Sequence, residues 1–557
     1  MKHQTRIDQV VGAVIGLVGF SIAVDPRVLN PTDVRWLLWG DSAQHYLGWQ
    51  FFRNTPLIQW PIGANPAFGA GFGESIVYSD AIPLVAIPLK YGSFLLPSTF
   101  QYLGWWVLVC FLLQGAVGFS LLRFAGVTRC FSVLGTVMLV LFPPFLYRLT
   151  HEGYGHIALA SHWIILLSIL MFVSRDDRLS RWTLVAAIAL LVQPYLAVFP
   201  LVLGTWRLIR YQPSSGVKSF YSVPTRLTVF IGVPTVIFWV VGGFPSGASR
   251  DTGFGVYQAT LTSLVDPGPT SSFGWSRLLN MLDFQAPPAT NEGYAFLGTG
   301  ILLLFPLALV AWPNLRRKPN GDWNSLFAIG ALFALFAVLP TIRVGERTMF
   351  TVPIPERFLD FAGIFRSNGR FIWLLAYTIT ILVVAVVALS TNRVVQVGVC
   401  LGAVLIGLVD AQPALRETRE RFSSSAEPLI AERNAAVWKR ILYNRQHLVT
   451  IPPLNNDPQW IDMAQLAQEY GMTTTAAYLS RLNDSRFRNT LSAGELALER
   501  RKFARDTVYV IMNYPPHRLT NILATEAETT VVNPLSFQAV QVENLLVVYT
   551  STNPVSR

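Results

Sequence analysis

Charge is scarce in this chain of 557 residues: Asp, Glu, Lys and Arg together make up 13%, about half the share of a soluble domain. A chain so poor in charge is not freely soluble over most of its length. Cysteine is scarcer still. The three residues, Cys110, Cys130 and Cys400, each lie in or beside an apolar run. The polar stretches have none, so a disulfide framework is excluded, and inert buried thiols are the expectation. Also missing is any concentrated basic region. Net charge is +11, but the cations come in short clusters between apolar runs. From Asp410 onward the balance is near neutral, 16 Lys and Arg against 15 Asp and Glu; upstream it is 27 against 17. Membrane topology and anionic head groups account for that excess, and no nucleic-acid partner is expected.

What the chain has instead is apolar sequence, 52% of it hydrophobic. Runs recur at roughly Val10–Val24, Tyr102–Leu122, Phe131–Tyr147, Ile157–Val173, Trp182–Gln193, Leu196–Ile209, Leu227–Val241, Leu297–Trp312, Leu326–Leu339, Phe371–Leu389 and Val394–Val409. These predict a polytopic α-helical membrane protein with about eleven transmembrane helices. The first run follows Lys2 and Arg6 and lacks a small-residue cleavage site, so it reads as an uncleaved helix. Trp182–Gln193 and Leu196–Ile209 are short for upright spans and meet at Gln193-Pro194-Tyr195, as two tilted helices or a re-entrant pair.

The cations set the orientation. Arg123 and Arg129, Arg175/Arg178/Arg181, Arg207/Arg210/Lys218/Arg226 and Arg316/Arg317/Lys318 fall on the same side as Lys2 and Arg6, which makes that side and the N-terminus cytoplasmic. The long loops 25–101, 242–296 and 341–370 then lie outside, and so does the tail. The expected organisation is a membrane domain over 1–409 and a soluble extracytoplasmic α/β domain over 410–557. Within the tail, helices are expected at 428–443 and Trp460–Tyr470, and strands at His447–Ile451, Thr507–Met512, Phe537–Val542 and Leu545–Thr550.

Long loops in compact proteins usually carry function, and the polar residues of these loops are the candidates. Trp39 to Phe52 is an aromatic-rich amphipathic segment, expected to lie in the interface plane. On it Asp41, Gln44 and His45 share one helical face. Asp41 is suited to accept a proton from a hydroxyl, or to cap the helix. Asp80, before the next apolar stretch, has the same two readings. The turn Arg148 to His156 holds His151 and His156; its spacing and two glycines disfavour a metal site, and an anionic head group suits it better. Glu292 sits at a span entrance. Arg366 and Arg370, about one helical turn apart before a span, form a natural phosphate clamp, or snorkel to the interface.

Taken together, Gly40-Asp41-Ser42-Ala43-Gln44-His45-Tyr46, Gln193-Pro194-Tyr195, Glu292-Gly293-Tyr294-Ala295-Phe296-Leu297-Gly298 and Phe365-Arg366-Ser367-Asn368-Gly369-Arg370-Phe371 resemble recurrent pieces of uncharacterised bacterial membrane proteins of the GT-C glycosyltransferase superfamily. An acid soon after the first span, a second acid late in that loop and an external tail domain resemble the superfamily too. The resemblance implies an inverting transferase at the periplasmic face of the bacterial inner membrane. It would take a sugar from a polyprenyl-phosphate donor to a glycan, lipid or protein acceptor. Asp41 would be the general base, with Asp80, His45 and Glu292 around the acceptor. Arg366, Arg370, Arg148, His151 and His156 would meet the donor phosphate. Some members hold a divalent cation such as Mg or Mn on the acidic loop residues; the sequence itself has no clear metal cluster. The competing readings are a transporter or flippase and a non-catalytic envelope-assembly protein. Against transport stand the absence of a convincing internal repeat and the near-absence of charge at span centres.

Overall fold

The computed structural model describes residues 2–150, 153–210, 223–244, 246, 253–268, 275–279, 284, 287–390, 393–423, 434–455, 457, 459–512, 537–542 and 545–550. Every one of the eleven apolar runs carries helix. In chain order the helices are α1 (Lys2–Ala23), α2 (Gly40–Arg53), α3 (Pro83–Tyr91), α4 (Leu103–Phe124), α5 (Arg129–Val140), α6 (Pro143–Tyr147) and α7 (Trp163–Val173). Next come α8 (Leu179–Val192), α9 (Pro194–Arg210), α10 (Val223–Val241), α11 (Thr299–Ala311), α12 (Trp323–Ala337), α13 (Glu356–Ala362) and α14 (Trp373–Leu389). The last are α15 (Arg393–Asp410), α16 (Gln412–Ser423), α17 (Ala435–Leu442), α18 (Trp460–Glu469) and α19 (Asp484–Glu499).

Fewer helices than apolar runs have the length of a full span. Among the described residues five helices are long and apolar enough to cross a bilayer, or six if α15 and α16, bent by 51°, count as one. Helices α7, α8, α11 and α12 are apolar but shorter. The shortening has local causes. Gln193 is extended (φ −162°, ψ 117°) ahead of Pro194, because a proline disfavours helix in the residue before it. The run at Ile157 becomes helical only at Trp163. The mainly helical chain with these spans is a membrane protein with a small C-terminal sheet.

The chain divides into two compact units. One comprises Met1–Trp36, Thr99–Ile237 and Arg250–Ser424; the other comprises Leu37–Ser98, Phe238–Ser249 and Ser425–Arg557. In the first unit α1 lies along α4, where Gly12 and Gly115 approach so closely that a Cβ on Gly12 would sit 2.4 Å from the Gly115 carbonyl oxygen. Small residues allow such contacts between membrane helices. Asp8 on α1 accepts from Arg129 (2.8 Å) and Arg123 (3.3 Å). A two-stranded ribbon, β1 (Thr341–Val344) and β2 (Arg347–Thr351), is antiparallel.

The second unit joins the early loop to the tail. Its sheet contains β3 (His447–Ile451), β4 (Thr473–Thr474), β5 (Thr507–Ile511), β6 (Phe537–Val542) and β7 (Leu545–Thr550), in the order β4-β3-β5-β7-β6. The first three strands run parallel, and β7 and β6 run antiparallel to their neighbours. Of these, β3, β5, β6 and β7 are the strands that alternation and β-branched content predict; β4 is an addition. Of the helix expected over 428–443, residues 428–433 lie outside the described residues; α17 supplies the rest. The open edge at β4 is met by the early loop: Thr474 N–H donates to the Ala67 carbonyl (3.0 Å), and Ala70 N–H donates to the Thr474 carbonyl (2.6 Å). Covering a sheet edge in this way removes a pairing hazard.

Candidate functional site

Three connections of the first unit meet at Glu292. Arg148 follows α6, Glu292 rides on a 3-10 turn (Pro288–Gly293), and Arg370 lies in a 3-10 turn (Asn368–Ile372) that opens α14. Backbone contact makes the meeting possible. A Cβ on Gly369 would lie 2.7 Å from the Gly293 Cα and 2.8 Å from the Gln258 carbonyl carbon, so only glycine fits there. Asn368 fixes the turn by donating to the Phe336, Ala337 and Leu339 carbonyls at 2.8–3.2 Å.

On this frame Arg148 Nη1 and Arg370 Nε each donate to Glu292 Oε2 at 2.9 Å, and Arg148 Nη2 donates to the Glu292 carbonyl at 3.0 Å. The Arg148 side chain is 2% exposed and Glu292 19%. Arg148 is boxed by rings: its guanidinium lies 5.4 Å from the Tyr147 centroid and 5.2 Å from Trp373, favourable cation–π distances. Tyr147 stacks on Tyr294 at 4.4 Å, and Trp373 donates to the Tyr294 carbonyl. Two guanidiniums facing one carboxylate leave a formal charge of +1. Burial alone would raise the Glu292 pKa, but Arg148 and Arg370 outweigh it and bring the carboxyl down to about 2. The buried Arg148 Nε has no hydrogen-bond partner among the described residues.

Tyr195 draws a third motif into the same place. Its hydroxyl accepts from Ser367 N–H (2.9 Å), and Arg370 lies 4.4 Å over its ring. Spacing reads Gln193-Pro194-Tyr195 as a helix break, and the family resemblance includes the motif without giving Tyr195 a role, so Tyr195 is a site residue that spacing does not reveal. Arg366 takes a different partner from Arg370: its Nη2 donates to the Tyr257 hydroxyl at 3.1 Å, with its guanidinium 5.0 Å over that ring. It also precedes the helical turn instead of sharing one with Arg370. Tyr257 carries no sequence signal at all. His156 accepts from Leu159 N–H at 3.3 Å. His151 lies outside the described residues.

The second unit holds Asp41, His45 and Asp80. Helix α2 is capped by neither acid. Trp39 occupies the N-cap without a side-chain bond, and Gly40 has φ +53°, a left-handed geometry that glycine adopts without steric cost. Asp41 lies in the first helical turn, half-buried, where the positive end of the helix dipole favours a carboxylate. Ser42 to Arg53 are all buried, so α2 does not lie in the interface plane as its composition suggests. It is enclosed by its own unit: Gln44 donates to the Tyr78 carbonyl (2.8 Å), and Phe51 packs on Phe68 at 5.3 Å. His45 Nδ1 bonds the Asp41 carbonyl.

Asp80 is not a helix N-cap either. It ends a 3-10 turn (Ile76–Ser79) at φ +51°, and Ile82 has φ +51° as well. A β-branched residue there is an outlier with a strain of about 1–3 kcal/mol. Among the described residues no group of three or more His, Cys, Asp or Glu is placed to hold a metal. Mg and Ca take about six or more oxygen ligands, a set that the described His, Cys, Asp and Glu residues do not assemble.

A profile of a family described as a domain of unknown function (DUF6311) matches residues 13–412, and one described as the DUF6311 C-terminal domain matches 437–530. No curated protein matches the chain. Among solved structures, similar ones are the Archaeoglobus fulgidus oligosaccharyltransferase with zinc and sulfate and the same enzyme in its apo form. The first is 11% identical with a TM-score of 0.35, covering 90% of this chain and 67% of that one. The second is 10% identical with a TM-score of 0.34, covering 92% and 70%.

Proposed function

The chain belongs to the DUF6311 family, and on that premise we propose that it is an inverting membrane glycosyltransferase of GT-C type, using a polyprenyl-phosphate-linked sugar at the periplasmic face of the inner membrane. The observation that carries the reading is the pair of guanidiniums from Arg148 and Arg370 on one carboxylate oxygen of Glu292. This cationic cluster, in which Glu292 and Arg370 come from motifs of the family resemblance and Arg148 does not, suits an anionic lipid head group. Glu292 is a positioning residue that holds both arginines extended.

In the proposed reaction the Asp41 carboxylate takes the proton of the acceptor hydroxyl. The freed oxygen attacks the anomeric carbon, the bond to the phosphate oxygen breaks, and polyprenyl phosphate leaves with its electron pair as configuration inverts. Arg148, Arg366 and Arg370 are the residues assigned to the departing phosphate charge. Asp41 lies in the first turn of α2, at its half-buried end, while Ser42 to Arg53 are buried.

The test uses the full-length protein in nanodiscs with a panel of polyprenyl-phosphate sugars and envelope glycan. Asp41→Asn should bind donor normally and lose transfer by about 100-fold or more; undiminished transfer removes Asp41 as the base. Arg366→Ala with Arg370→Ala should weaken donor binding, and unchanged affinity removes the clamp. Failure of the unmutated protein to bind any such donor overturns the enzyme reading and leaves transport or envelope assembly.

A further inference from the structure

The early loop is unusual in where it has no charge. No charged residue occurs between Arg53 and Glu74, and Lys90 is the only one between Asp80 and Arg123. The structure turns both flanking cations inward. Lys90 donates to Thr55 Oγ1 (2.6 Å) and the Pro56 carbonyl (2.8 Å), and lies 4.5 Å over the Phe52 ring. Arg53 donates to the carbonyls of Pro97, Ser98 and Ser93 at 2.9–3.2 Å. Both cations thus sit at the C-terminal end of α2, where the helix dipole favours positive charge. They also tie residues 55–58 and 91–98 to the same place.

The apolar side chains of those two segments point the other way. Ile58 is 96% exposed, Phe94 80% and Leu95 77%, and Leu57, Trp60 and Tyr91 are each at least half exposed. A water-facing surface does not gather six large apolar side chains without a covering medium. What covers this one is indicated by its neighbour. Trp60 packs edge-on against Trp239 at 5.1 Å, and Ile62 N–H donates to the Val240 carbonyl. Trp239 and Val240 are the last turn of α10, a helix apolar and long enough to cross a bilayer and only 17% buried within the protein. Paired half-exposed tryptophans at a span end are the signature of the head-group level of a membrane.

We infer that Leu57–Trp60 and Tyr91–Leu95 form a membrane-seated patch that enters the leaflet at which α10 ends, a monotopic contact made by a loop otherwise enclosed in the second unit. The occupant is lipid. The patch is continuous with a lipid-facing helix end, and its two cations are consumed by backbone carbonyls instead of being displayed to a protein partner.

The test labels single cysteines with bimane in full-length protein reconstituted into phosphatidylethanolamine–phosphatidylglycerol nanodiscs. The variants are Ile58→Cys and Phe94→Cys in a Cys130→Ser background, with Glu495→Cys on the exposed side of α19 as reference; Cys110 and Cys400 are buried. Shallow-nitroxide lipid should quench the labels at 58 and 94 but not at 495, and iodide quenching at 58 and 94 should be about threefold weaker or less, as for side chains within the acyl boundary. Equal iodide quenching at all three positions overturns the proposal in favour of a water-facing surface. Protection from both quenchers overturns it in favour of a protein partner or a second copy. Leu95→Cys replaces either variant that fails to fold.

Discussion

Arg148 and Glu292 are joined twice, guanidinium to carboxylate at 2.9 Å and guanidinium to backbone carbonyl at 3.0 Å. The two bonds orient the carboxylate so that its Oε2 also receives Arg370. Removing the acid alone leaves two buried cations facing each other without compensation. Glu292→Gln should therefore destabilise the first unit by about 3–5 kcal/mol, while Glu292→Leu combined with Arg148→Met and Arg370→Met should cost much less, since an apolar replacement removes the charges together. Thermal unfolding in detergent, compared across the single and triple variants, measures the difference; equal losses would mean the cluster is not the source of the stability.

The same contact sets a pH response. Burial opposes ionisation of Glu292, but Arg148 and Arg370 prevail and hold its pKa near 2, below the usual 4.5. A carboxyl depressed on folding contributes stability that is complete above its unfolded pKa and disappears as pH falls toward the folded value. Unfolding temperature should fall between pH 4.5 and pH 2 more steeply for the unmutated protein than for Glu292→Gln. Parallel curves across that window would assign the acid sensitivity elsewhere.

Gly48 couples the two acids of the second unit. A Cβ there would lie 2.2 Å from Ser79 Oγ and 2.3 Å from its Cβ, so α2, which opens on Asp41, packs directly on the turn that ends at Asp80. Gly48→Ala should destabilise by about 1–3 kcal/mol through overpacking, and Ser79→Gly should recover part of that loss. A double-mutant cycle on unfolding free energy would show a coupling above about 0.5 kcal/mol. Additive losses would mean the clash is relieved by movement elsewhere.

These contacts also show what the sequence could and could not disclose. Apolar runs located the long helices of the membrane part but not α3 or α13 in its loops, and β-branched alternation located β3, β5, β6 and β7 but not β4, because burial in lipid or in a sheet is written in local composition. Span number was less legible: Pro143, Pro194 and the stretch before Trp163 break apolar runs that hydropathy reads as continuous. Of the candidate site, Arg148, Glu292 and Arg370 were all legible as charges at span entrances. Their convergence was not, since it depends on Gly293 and Gly369 meeting from segments 76 residues apart. The expectation for α2 failed for a related reason. Its amphipathic pattern is real, but the Tyr78–Ser79 turn, itself held by Ser480 of the tail, packs on Gln44 and Gly48, and a local pattern does not encode a distant cover.

That cover leads to a final expectation about the tail. Ser480 donates to the Tyr78 carbonyl through both its N–H (2.8 Å) and its hydroxyl (3.0 Å). Arg486 pairs with Glu74 at 3.2 Å, and Phe72 packs on Phe487 at 5.1 Å. Together with the Thr474 pairing, these bonds satisfy backbone groups of a glycine-rich loop with little helix or strand of its own, and each backbone bond contributes about 1 kcal/mol. Deleting residues 435–557 should therefore leave the membrane part inserted but open residues 54–80 to protease and to amide exchange, with protection at Phe68 to Tyr78 falling by at least about tenfold as local opening becomes easier. Transfer activity, if Asp41 is the base, should disappear with it, because α2 loses the partners that bury its length. A truncated protein whose early loop stays protected would show that the loop is held by the membrane part alone.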